Sequence, residues 1–222
     1  IQLLLNGLTT KNSDDQMYAS GALSWLATNS NLLPLIIGVD ERDQDKESKI
    51  KGQRRRSRAF MTMPDLATVA RMKMQASIAH KRALADLDAP HLFQGVDRLF
   101  FVARSATHLS TRNSLATIFN CFSNHPEGRL ALCTPKGITA LFCVADIHEG
   151  IEGLLNCVLA WKHEYGTDVL LRLKGAGGVK VITTTLLLNT QFTVRFCSAA
   201  LLSMFAKDSL TRQCLSSKRL WV

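Results

Sequence analysis

The sequence predicts an all-α chain built from a repeated helical unit, and three observations carry that prediction. Gly95, Gly137 and Gly178 stand 42 and 41 residues apart, each followed by a β-branched residue: Val96, Ile138 and Val179. Apolar residues then recur at helical spacing, with Leu99, Leu141 and Ile182 four positions after each glycine. Twenty-four positions after each glycine comes a large apolar residue, Phe119, Trp161 or Leu202, with a smaller one three before it: Ala116, Val158 or Ala199.

Taken in chain order, the elements follow from these patterns. Gln16 to Ala27 is a compact helix rich in small residues, and Asn31 to Val39 is a short apolar segment closed by Gly38. Ser77 to Leu87 reads as a further copy, although Gly38 and Leu84 are 46 residues apart instead of 24, which implies an insertion. The glycine-led units follow. Val96, Leu99 and Val102-Ala103 open the first, Ile138, Leu141 and Val144-Ala145 the second, and Val179, Ile182 and Thr185-Leu186 the third. A short segment closes each: Arg129 to Leu132, Asp168 to Leu171, and Thr211 to Leu215. The β-branched run from Val179 to Leu188 leaves a small α/β domain as the competing reading, but its place after a double glycine favours a helix. The unit boundaries expected are about 1-37, 38-94, 95-136, 137-177 and 178-219, forming one domain.

One such unit cannot bury its apolar faces alone, whereas stacked neighbours share a continuous core. With 46% hydrophobic residues in 222, the chain can build one. The expected product is a short right-handed superhelix with one concave groove. The pattern resembles the armadillo repeat family, whose unit is three helices with a glycine pair before a β-branched residue. Gly175-Ala176-Gly177-Gly178-Val179 is close to that boundary motif, and Gln16 to Ala27 is similar to the family's third-helix motif except at Trp25. Departures are His80 and Lys81, and Glu164 at an expected core position.

The formal charge of +9 comes from 27 Lys and Arg against 18 Asp and Glu, which excludes an acidic tail protein. Most of it is local. Residues 40 to 58 hold one apolar residue, Ile50, and read as a charged, disordered insertion spanning about 40-60. Its second half carries Lys49, Lys51, Arg54, Arg55, Arg56 and Arg58 without an acid, supplying +6 of the +9. Three readings of this stretch compete: a solvated loop, a nuclear-localisation or nucleic-acid contact, and a regulatory site with Ser57 as the phosphate acceptor after three arginines.

Chemistry-bearing motifs are sparse. The six histidines are scattered, and His148-Glu149 lacks the second histidine of a zincin. Lys174 to Lys180 is glycine-rich but is no Walker A loop, and no Gly-x-Ser-x-Gly elbow occurs. None of the six cysteines forms a C-x-x-C pair, so they read as reduced, mostly buried small side chains in a cytoplasmic or nuclear protein. No apolar run approaches the ~18 residues of a spanning helix. No catalysis, metal or cofactor is expected. The first residue is Ile1, which suits a segment of something longer.

The resemblance implies a groove lined by third helices that binds an extended partner segment. The ladder of Trp and Asn that importin-alpha-like members use is missing: the Asn column reads Trp25, Asp86, Cys121, His163, Met204, and the Trp column Gly21, Arg82, Thr117, Leu159, Ala200. A basic groove is not evident either. The candidate contacts are Trp25, Asn29, Arg82, Asp86, Asn120, Asn124, Lys162, His163 and Lys207, with Trp25 foremost because an exposed aromatic is a common anchor. Trp25 could equally pack between units. The function expected is a non-catalytic protein-interaction scaffold, with a nucleic-acid-associated protein acting through the basic loop as the alternative.

Overall fold

The structure is a computed structural model that describes residues 1–10, 12–38, 94–166 and 168–212. The second unit, the charged insertion and the segment after Arg212 lie outside the described residues. Every regular element among the described residues is a helix, and Val179 to Leu188 belongs to one, so the chain is all-α there and the α/β alternative falls.

Among the described residues twelve helices follow in order: α1 (Gln2–Gly7), α2 (Ser13–Ala27), α3 (Leu33–Ile37), α4 (Gln94–Ser105), α5 (Leu109–Ser123) and α6 (Pro126–Leu132). Then come α7 (Pro135–Cys143), α8 (His148–Tyr165), α9 (Asp168–Gly175), α10 (Gly178–Leu188), α11 (Phe192–Lys207) and α12 (Ser209–Arg212). Local chemistry sets their ends. Asn12 accepts the Asp14 amide at 3.0 Å and caps α2, while Asp14 and Asp15 sit in its positive first turn. Thr134 accepts the Gly137 amide at 3.1 Å and caps α7, and Pro126 and Pro135 begin α6 and α7, where a missing N–H costs nothing. Gly38, Gly166 and Gly177 stop helices at φ values of 82°, 67° and 83°.

The helices fall into three rows. The long ones pack in direct succession, α2 on α5, α5 on α8 and α8 on α11. A second row runs α1, α4, α7, and the ring of Phe142 on α7 comes against Gly178 at the start of α10. In the third row α3 packs on α6 and α9 on α12, and Arg172 on α9 donates to the Cys133 carbonyl at 2.9 Å. The short helix α3 also touches α4, as α6 touches α7, so α3, α4 and α5 group together as α6, α7 and α8 do.

The core repeats with the rows. In the long helices Ala19, Ser20, Leu23 and Ala27 are buried at positions i, i+1, i+4 and i+8. Leu115, Ala116, Phe119 and Ser123 follow the same spacing, then Cys157, Val158, Trp161 and Tyr165, then Cys197, Ser198, Leu201 and Phe205. In the second row Val96, Leu99 and Val102, then Ile138, Leu141 and Val144, then Val179, Ile182 and Thr185 are buried, as the glycine-led columns predict. The predicted large residue of α11, Leu202, is only partly buried and Leu201 takes the core position, because α11 lies one residue nearer its glycine than α8 does. Glu164 stays at the surface beside Arg129, 3.7 Å away, while Tyr165 next to it turns inward.

Boundary glycines are explained by contact. A Cβ on Gly137 would stand 2.5 Å from the Ala131 carbonyl oxygen, and one on Gly178 would stand 2.8 Å from that of Leu173. In both, one row's first turn is pressed against the end of another row's helix, where only hydrogen fits.

Candidate functional site

The shared burial spacing of the long helices leaves a matching set of positions unburied. On α2 these are Asp14, Tyr18, Gly21 and Trp25, at i, i+4, i+7 and i+11. The same register picks out Ser110, Ser114, Thr117 and Cys121 on α5, and Glu152, Asn156, Leu159 and His163 on α8. On α11 it picks out Phe192, Phe196, Ala199 and Ser203, and none of these sixteen positions is buried. Because the four helices touch in sequence, the positions form one open face across the row. The register corrects the expected column at its last step: Ser203 and Ala199 stand where Met204 and Ala200 were expected, by the same one-residue shift that moves Leu201 inward.

Aromatic exposure marks the face. Trp25 is 75% exposed, and with Leu26, Thr28, Asn29, Ser30 and Leu32 it lines an open depression at the end of α2. Asn29 holds that turn by accepting the Asn31 amide at 3.0 Å. A Cβ at Gly21, one turn before Trp25, would meet no atom within 4 Å, so the surface there is open.

The other expected contacts spread along the row. Asn120 is half-buried at the α5–α8 junction and donates through Nδ2 to Oε2 of Glu152 at 3.0 Å. Asn124 is exposed and donates to the Asn120 carbonyl at 3.1 Å, closing the end of α5. Lys162 is half-buried and His163 exposed near the end of α8, and Lys207 is exposed in the last turn of α11. The structure thus brings together Trp25 with Asn29, Asn120 with Asn124, and Lys162 with His163, while Lys207 stands apart. Arg82, Asp86, the bases Lys49, Lys51, Arg54, Arg55, Arg56 and Arg58, and Ser57 lie outside the described residues.

Among the face residues that escaped sequence reasoning are Tyr18, Glu152, Phe192 and Phe196. Tyr18 stands seven before Trp25 and so shares its face, a spacing visible in the sequence. Phe192 and Phe196 lie outside the glycine-led columns and resemble core residues; only the burial of Val194, Cys197 and Ser198 shows which side of α11 they occupy.

Nucleophile chemistry is not favoured here. Burial pushes the thiols of Cys121 and Cys143 up, and that of Cys157 well up, away from the reactive thiolate. Cys133 and Cys157 are buried, and Cys214 lies outside the described residues. Among the described residues no three His, Cys, Asp or Glu side chains converge as a metal site would require, and no helix is long and apolar enough to cross a membrane. His148 begins α8 half-buried beside Glu149. Comparison with protein-family models, with curated proteins and with solved structures finds no match for this chain.

Proposed function

We propose that this chain is a non-catalytic, armadillo-like helical-repeat scaffold, coiled as a right-handed superhelix, that binds a segment of a protein partner along the third-helix row. The reading rests chiefly on the recurrence of one burial pattern in α2, α5, α8 and α11, which leaves one open face headed by the exposed Trp25. Repeat architectures put their binding surface on such a shared face, because each unit presents equivalent positions there. An exposed tryptophan beside a depression is the kind of group that dominates an interface once covered. Cysteines used as small buried side chains, as Cys157 and Cys197 are, suit a cytoplasmic or nuclear setting.

The test is affinity capture with the wild-type chain, Trp25→Ala, Leu159→Arg on the open face, and Thr139→Arg at an exposed position of the otherwise largely buried α7. Partners lost with the first two changes and kept with the third support the reading; partners indifferent to both face changes remove it. The basic stretch Lys49 to Arg58 motivates a second reading, a nucleic-acid-associated protein, since it supplies two-thirds of the net charge. That reading requires single-stranded RNA or duplex DNA binding that weakens steeply with salt and disappears when residues 49 to 58 are deleted.

A further inference from the structure

The open face changes character along the row. At one end α2 presents Tyr18, 71% exposed, and Trp25; at the other α11 presents Phe192 and Phe196, 80% and 62% exposed, with rings stacked at 6.3 Å and an interplanar angle of 25°. The positions equivalent to these two phenylalanines are Glu152 and Asn156 on α8, and Ser110 and Ser114 on α5. The register is thus aromatic at the ends of the row and polar in the middle. Each end therefore offers an aromatic hold, and the middle offers a single large apolar side chain, Leu159, 51% exposed.

The middle does offer charge. The carboxylate of Glu152 has the Asn120 amide as its hydrogen-bonding partner, and no Lys or Arg among the described residues pairs with it. Glu149 one turn before it is likewise without a cationic partner among the described residues. A second copy of this chain would set the same acidic face against itself, which like charges oppose. The complement is a segment that is apolar at both ends and basic between.

We infer that the face takes a single extended partner segment carrying an apolar side chain at each end and Lys or Arg between them. The inference rests on the groove reading above and specifies its ligand. The separation follows from the fold: three helix-to-helix steps of about 8–10 Å lie between α2 and α11. At about 3.3 Å per residue of extended chain, the two apolar residues stand about seven to nine residues apart.

A peptide series on the full chain tests this. The probes are fluorescein-labelled Gly/Ser peptides with two leucines three to fifteen residues apart and either arginine or glutamate midway, read by fluorescence anisotropy. The expected result is tightest binding at a spacing of seven to nine, at least tenfold weaker with glutamate. Trp25→Ser and the double change Phe192→Ser, Phe196→Ser should each weaken binding tenfold or more, with unchanged thermal unfolding because these side chains are exposed. Binding that ignores spacing, prefers glutamate, or is untouched by the phenylalanine changes overturns the inference. A peptide with one leucine that binds as tightly, lost in Trp25→Ser alone, overturns it while leaving the groove reading standing. Probe binding that survives Leu159→Arg in mid-face removes both.

Discussion

Asn120 of α5 donates from its side-chain amide to Oε2 of Glu152 on α8 at 3.0 Å, beside Gly153, where the two backbones close. A Cβ on Gly153 would lie 3.1 Å from the Asn120 Cα, so the polar pair sits at a close approach of the two helices. The bond joins two members of the long-helix row and orients a carboxylate of the open face.

Changing Asn120→Asp replaces that donor with a second carboxylate. The bond is lost and like charges face each other, a destabilisation of about 1–2 kcal/mol at neutral pH. The two carboxylates raise each other's pKa, so the folded variant binds a proton more readily than the unfolded chain and recovers stability as pH falls. Urea midpoints of wild type and variant should therefore differ at pH 7 and converge near pH 4; a constant gap would show that charge is not the cause.

The glycines separate into two kinds that alanine substitution distinguishes. A Cβ at Gly150 would stand 2.0 Å from the Val144 carbonyl oxygen, so Gly150→Ala forces the start of α8 off α7 and should cost more than about 2 kcal/mol. Gly21 lies inside α2 with nothing within 4 Å of a Cβ, so Gly21→Ala should stabilise by about 0.5–1 kcal/mol through helix propensity. Thermal unfolding of the pair should move in opposite directions.

These contrasts show what the sequence could and could not display. The glycine-led columns located the second row because a backbone crowded against a carbonyl accepts one residue type alone, and its position is therefore fixed. The apolar stripe of α5 and α8 was legible for the same reason: Phe119 and Trp161 fill the space between rows. Leu201 and Leu202 are both leucine, so no chemical difference told which faced the core, and the α11 register slipped by one. Phe192 and Phe196 were opaque because hydrophobicity marks core and binding surface alike. Trp25 was legible as a candidate because an aromatic at a third-helix face position is a common anchor, which residue type and register alone display.

Trp161 tests whether the core of the row is held by packing alone. It is fully buried, and its Nε1 donates to the Arg129 carbonyl at 3.1 Å, tying α8 to α6. Trp161→Phe keeps an aromatic ring but removes the donor and leaves a void, for an expected loss of about 2–3 kcal/mol. Denaturant unfolding reads the loss. If the unfolding free energy changes by less than about 0.5 kcal/mol, the bond is incidental and the site collapses around the smaller ring.

Tyr165 gives the chain an alkaline limit. Burial between α8 and its neighbours pushes its phenol up to about 12, with Cys133 and Glu164 adding to the shift. In the unfolded chain the phenol ionises near its ordinary value of about 10. Between these values the folded state holds a proton that the unfolded state has released, so stability falls as pH rises from about 10 to 12. Below pH 10 both states are protonated and the residue contributes no pH dependence. Tyr165→Phe keeps the ring and removes the ionisation. Urea midpoints at pH 9 should then respond alike in the two proteins, while from pH 10 to 11.5 the wild type should lose stability faster than the variant. Lysines and cysteines titrate in both proteins, so the difference between the two curves isolates the phenol; parallel curves would mean that Tyr165 ionises in the folded chain as easily as in the unfolded one.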